Sequence, residues 1–143
     1  VFVMHILRLN AMFRQNALAT MRRFGLSSVE FDTLGTLRRM SPHDPVRPST
    51  LSHHLLVTSG GMTRALKSLA DRNMIEILPD PEDRRSKNVA LTAHGRSIVE
   101  QAMSRILETT EGLLGETVTD ADLAKVNREI GRISARAEEN LPL

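Results

Sequence analysis

The sequence predicts a mainly α-helical fold with one small β-hairpin, and three observations carry that prediction. Apolar residues recur at helical spacing over most of the chain. The pattern changes to short, β-rich runs only between Met74 and Leu91. The core material is aliphatic: 41% of the 143 residues are hydrophobic but only 3% aromatic, with no Trp or Tyr, so packing rests on Leu, Ile, Val, Met and Ala. Leu, Met and Ala are good helix formers, and the length fits one domain.

The first helix spans Phe2 to Phe24, with Ile6, Leu9, Met12 or Phe13, Ala17 and Met21 in one row and Gly25 as its stop. Ser27-Ser28-Val29-Glu30 is a capping-box pattern opening a second helix, whose apolar row is Phe31, Leu34, Leu37 and Met40. Pro42, Pro45 and Pro48 make Ser41 to Pro48 a loop. A short helix follows, with Leu51, Leu55 and Leu56 expected inward. Thr58 caps the next helix, which carries Met62, Leu66 and Leu69 on one stripe and ends at Asn73, a residue that tolerates the left-handed conformation. Met74–Leu78 and Asn88–Leu91 read as strands around a charged, turn-rich tip. Thr92 caps a long helix with Ile98, Ala102, Ile106, Leu113 and Leu114 near one face. Thr119 or Asp120 opens a last helix through Leu123, Val126, Ile130 and Ile133.

Cysteine is absent, which excludes disulfides and thiol chemistry within the chain and agrees with a cytoplasmic setting. No apolar run is long enough to cross a bilayer. The opening seven residues stop at Arg8 and lack a basic start and a cleavage site, so they read as the interior of a helix, with a piece of chain expected before them. Net charge is only +2, but it is unevenly spread. Arg8, Arg14, Arg22 and Arg23 lie in an acid-free stretch, Arg64, Lys67, Arg72, Arg84, Arg85 and Lys87 form a second basic group, and acids gather after Ser97. Either one face meets a polyanion or the charges are a solvated mixed surface.

Helix order favours the polyanion. A short helix, a tight turn and a second helix with one exposed side form a DNA-reading unit, and a following hairpin makes it a winged helix-turn-helix. The second helix offers Ser59, Gly60, Thr63, Arg64 and Lys67 opposite its apolar stripe. Gly60 and Gly61 permit close backbone approach, and amides at that end suit phosphate. Thr63 suits a base edge or a thymine methyl, Arg64 guanine or phosphate, and Lys67 phosphate. The hairpin tip gathers Arg84, Arg85 and Lys87 beyond Asp83, a carboxylate placed to hold Arg85, and such a tip fits a minor groove. The bland counterparts are a capped surface helix and a plain charged turn.

The segments Leu26–Leu34, Met62–Leu69, Pro79–Arg85 and Val89–Arg96, in that order, resemble the multiple antibiotic resistance regulator (MarR) family, and the likeness in element order extends over nearly the whole chain. The resemblance implies one MarR-like domain over 1–143: helices 1–24 and 93–143 for dimerisation, and a winged helix-turn-helix lobe over 27–92. It implies a transcription regulator, typically a ligand-responsive repressor, acting as a homodimer on double-stranded DNA with a pseudo-palindromic operator. Half-sites then lie about one helical turn apart, on the order of 34 Å. It implies Asp83 and Arg85 as a wing pair, Thr63 and Arg64 in the major groove, Ser49 and Thr50 near the DNA backbone, and a small, often aromatic effector at no residue the sequence identifies. The chain departs from the family at Leu56 and Asn73, where glycine is usual, and at Ile77 and Leu78, which are often basic.

Other chemistry finds little support. His53 and His54 point roughly 100° apart on a helix and do not chelate one ion as a pair. His5, His43 and His94 are scattered, so no metal or cofactor is expected, although a site shared across a dimer stays open. Acids at Asp80, Glu82, Asp83, Glu138 and Glu139 occupy a turn and a helix end, not an opposed pair, and no nucleophile or phosphate-loop motif is present, so no enzyme is expected. Met12, Phe13 and Met40 either line a ligand cleft or simply pack. Two other readings remain at this point: a dimeric protein-interaction module whose DNA surface has decayed, or a metal-responsive regulator.

Overall fold

The computed structural model describes residues 1–40, 45–81, 83, 86–115 and 118–140. Its elements are α1 (Phe2–Arg23), α2 (Ser28–Met40), α3 (Pro48–Leu55), α4 (Ser59–Asp71), β1 (Ile75–Pro79), β2 (Lys87–Leu91), α5 (Ala93–Leu114) and α6 (Asp120–Glu139). The strands pair antiparallel, Ile75 opposite Leu91 and Pro79 opposite Lys87, so each strand lies one residue from the span expected of it. This is a mainly α winged-helix fold with flanking helices. The chain divides into two compact units, Val1–Glu108 and Thr109–Leu143.

Within the first unit the core is aliphatic. Leu34, Leu37, Leu51, Met62, Leu69, Val89 and Val99 have almost no exposed surface. The rows on the second and fourth helices are inward as their spacing requires, apart from Met40, which is exposed at the end of α2. On α5 the buried residues are Gly95, Val99 and Ala102, with Ile98 half-buried; Leu113 stands exposed. Gly95 is required by contact: a Cβ there would meet the Met74 carbonyl oxygen at 1.9 Å.

Three helix ends in this unit close in the same way. Leu26 N–H donates to Met21 O and Gly25 N–H to Arg22 O; Val57 donates to Ser52 O and Leu56 to His53 O; Met74 donates to Leu69 O and Asn73 to Ala70 O. Each is a Schellman closure, which needs a left-handed residue at its centre. Gly25, Leu56 and Asn73 fill that position with φ of 64°, 53° and 54°. Leu56, expected inward from its apolarity, is instead 79% exposed, because the left-handed turn swings its side chain off the buried row.

The apolar residues of α1 before Phe13 are exposed, Ile6, Leu9 and Met12 among them. In the second unit α6 opens at Thr119, whose hydroxyl accepts from Asp122 N–H while the Asp122 carboxylate accepts from Thr119 N–H. Its row of Leu123, Val126, Ile130 and Ile133 is exposed by 38–51%.

Candidate nucleic-acid interface

Helix α4 is built to show one face and bury the other. Thr58 stands before it with extended backbone, and its Oγ1 accepts from Gly61 N–H at 3.2 Å. Met62, Ala65, Leu66 and Leu69 turn inward. Ser59, Gly60, Thr63, Arg64 and Lys67 are therefore all exposed on the opposite side. Of the two glycines, Gly60 has open space around it, whereas a Cβ at Gly61 would press on Val57 Cγ1 at 3.0 Å and Thr58 Oγ1 at 3.2 Å. Gly61 thus serves the cap, while Gly60 leaves the start of the helix open. Thr63 Oγ1 donates to Ser59 O at 2.8 Å, which commits its only hydroxyl proton to the helix. What Thr63 keeps for a ligand is a methyl group and acceptor lone pairs.

The supporting helix α3 begins with Pro48 at its first position, where no N–H is needed, and Ser49 and Thr50 are exposed in its first turn. At its other end His54 Nε2 lies 2.6 Å from Arg39 Nη2 at the end of α2. Before α3, Val46 exchanges both backbone hydrogen bonds with Val89, each 2.8 Å. This adds a single-residue third strand beside β2. No periodicity signals it, since a single bridging residue in the Pro45–Pro48 stretch has none. Arg47 follows, and its Nε donates to Asp80 Oδ2 at 2.9 Å. Asp80 is 3% exposed, whereas sequence alone places it among several solvated turn acids; burial beneath Arg47 makes it structural.

At the hairpin tip, Asp83 accepts from Ser86 Oγ at 2.8 Å and Asp80 N–H donates to Ser86 O. Arg84 and Arg85, expected beside Asp83, lie outside the described residues. Lys87 opens β2 and is exposed. It shares with Thr63, Lys67 and Ile77 the rim of a groove of about 330 Å³ between α4 and the hairpin, floored by Leu66 and Val89. Ile77 is 46% exposed there, so β1 contributes an apolar edge and β2 the charge. Arg64, Lys67 and Lys87 meet no acidic partner among the described residues.

The far end of α4 is anchored by a residue whose sequence context suggests only surface charge. Arg72 donates to Gly25 O at 2.9 Å and Phe24 O at 3.2 Å, and its Nη1 lies 3.7 Å from Glu30 Oε1. Glu30 in turn completes the capping box with Ser27. Among the described residues no group of three or more His, Asp or Glu is placed to hold a metal ion, and no helix is long and apolar enough to cross a membrane.

Comparison with known proteins agrees with this geometry. A model of the MarR family matches residues 24–86. The HTH-type transcriptional regulator PecS of Dickeya dadantii (strain 3937) is 25% identical over 118 residues, covering 82% of this chain and 70% of its own. Apo MarR from E. coli superposes with a TM-score of 0.78 at 22% identity, over 93% of this chain and 96% of the other. A point mutant of S. aureus MepR, solved bound to an oligodeoxyribonucleotide, superposes at 0.66 with 18% identity, over 96% and 98%.

Proposed function

We propose that the chain is a MarR-family regulator, a sequence-specific, double-stranded-DNA-binding transcription factor acting as a homodimer on a pseudo-palindromic operator; the family model over residues 24–86 and the likeness to PecS support this. One observation carries the reading: the polar side of α4 stands outward, with Arg64 and Lys67 exposed on it, and Lys67 lines one groove with Lys87 of the hairpin. An MepR variant of the same fold binds an oligodeoxyribonucleotide, which supports it.

In this reading Ser59, Gly60, Thr63 and Arg64 meet base edges in the major groove, where Arg pairs with guanine O6 and N7. Lys67, Lys87, Ser49 and Thr50 take phosphates and set the register. Asp83, Arg84 and Arg85 form the wing that enters the adjacent minor groove. The lobe is 27–92, and the segments 1–24 and 93–143 supply the dimer. The exposed apolar rows of α1 and α6 support that assembly, because contiguous exposed apolar stripes mark association surfaces. A small, aromatic effector then shifts the population of dimers toward one whose two α4 helices no longer match successive grooves. The protein is not an enzyme and works in the cytoplasm.

The test is fluorescence anisotropy of the wild type and Arg64→Ala on DNA from upstream of its own gene, run across a salt series beside an unrelated duplex. A regulator binds the upstream fragment more tightly than the unrelated one, and Arg64→Ala narrows that gap. Equal binding to both duplexes at every salt concentration overturns the proposal.

A further inference from the structure

We infer that Arg47 and Asp80 form a positioning pair that fixes the wing against the helix-turn-helix and so sets its contact with DNA. The inference rests on the DNA-binding reading above. Asp80 directly follows β1, at the point where the hairpin leaves the lobe. Its carboxylate is almost wholly buried, and a buried carboxylate is stable only with hydrogen-bonded or charged partners. Arg47 Nε supplies one at 2.9 Å. The Asp80 backbone N–H donates to Ser86 O at 3.1 Å, which closes the tip segment above it. One residue therefore holds both the root of the tip and the lobe.

Arg47 is placed to do this by its neighbours. It is the residue before Pro48, with extended backbone, and begins the turn into α3. Val46, just upstream, is locked to Val89 of β2 by two backbone hydrogen bonds. The chain entering α3 thus grips the hairpin twice: by backbone on β2 at Val46, and by side chain just past the end of β1 through Arg47. The first grip fixes the height of the hairpin beside the lobe. The second fixes its tilt, since it acts at the strand end nearest the tip. Arg47 also keeps about half its side chain exposed.

The pair gives a prediction whose sign separates positioning from plain electrostatics. Asp80→Asn removes a negative charge from a DNA-facing lobe and nearly preserves shape. If charge alone governed binding, affinity would rise. Positioning requires that it fall, by about tenfold if the lost orientation is worth a single hydrogen-bonded charge contact.

The experiment measures dissociation constants for wild type, Arg47→Ala, Asp80→Asn and the double variant on one operator duplex across salt, with hydroxyl-radical footprints. Thermal unfolding and mass by light scattering confirm folded, wild-type assemblies. Support is a fall in affinity for both single variants, a double variant no weaker than either, and loss of flanking minor-groove protection with the major-groove footprint and base preference intact. Tighter binding by Asp80→Asn overturns the inference, and so does weakening by Arg47→Ala alone with a salt slope reduced by about one, which makes Arg47 a phosphate contact. Wild type without operator preference sinks the DNA-binding reading instead. Should the buried pair prove needed for folding, Arg47→Lys keeps the charge and a donor; it recovers part of the footprint if Asp80 is its target and none if the guanidinium plane itself touches DNA.

Discussion

Glu30 Oε1 and Arg72 Nη1 lie 3.7 Å apart, joining the first turn of α2 to the end of α4. Burial by itself raises the Glu30 carboxyl, but hydrogen bonds from Ser68 and Ser27 and the charge of Arg72 outweigh it and hold the group below its ordinary 4.5. A carboxyl whose native value lies below its unfolded one adds stability at higher pH and loses it as pH falls through the native value. The lobe should therefore weaken below pH 4.5. Glu30→Gln should cost about 1–3 kcal/mol at neutral pH, and urea titrations at neutral and acid pH should show a smaller acid loss in the variant than in wild type.

Leu56 carries a left-handed backbone with an exposed side chain, so it meets the steric cost of that region without compensating burial. Leu56→Gly relieves about 1–2 kcal/mol of strain and gives back part of it as chain entropy. A net gain of roughly 0.5–1 kcal/mol is expected, read as a higher Tm with DNA affinity unchanged.

Gly95 is the opposite case. The Met74 carbonyl sits where its side chain would be, so Gly95→Ala must push α5 away from the start of β1. The expected loss is about 1–3 kcal/mol, the usual cost of overpacking a tight contact. Chemical denaturation should show it as a lower midpoint at constant slope.

For DNA binding, Lys67→Ala and Lys87→Ala should each lower affinity on all sequences and reduce the salt slope by about one. Arg64→Ala should lose about 1–3 kcal/mol of base discrimination as well. Thr63→Val keeps the methyl and removes a hydroxyl whose proton is already given to Ser59, so on a site read through a thymine methyl it should bind like wild type. Competition with single-base operator variants distinguishes these outcomes.

Ile130 lies in the exposed apolar row of α6 and is itself 40% exposed. Ile130→Glu places a charge in that row, and light scattering should show a shift from dimer to monomer. DNA affinity should fall with it, because two half-sites are no longer held together.

Local signals make most of the lobe legible. The capping box at Ser27, the Thr58 and Thr92 caps, the stripe of α4 and the left-handed Asn73 depend on residues a few positions apart, and periodicity and hydrogen-bonding capacity display them directly. Contacts between distant segments are not legible. Arg47 and Asp80 are 33 residues apart and Arg72 and Gly25 are 47, so nothing in either neighbourhood names the other. Leu56 misleads because apolarity suggests an inward direction, while a left-handed turn decides direction by backbone geometry. Thr63 is legible as an exposed residue, but not as one whose proton is already spent.

The Arg72 anchor couples two ends of the first unit. By gripping the carbonyls of Phe24 and Gly25 it clamps the last turn of α4 to the chain as it leaves α1. In a two-fold assembly held through α1, swinging one N-terminal helix against its twin would drag the attached lobe along. The separation of the two α4 helices would then be geared to an angle set far from either of them.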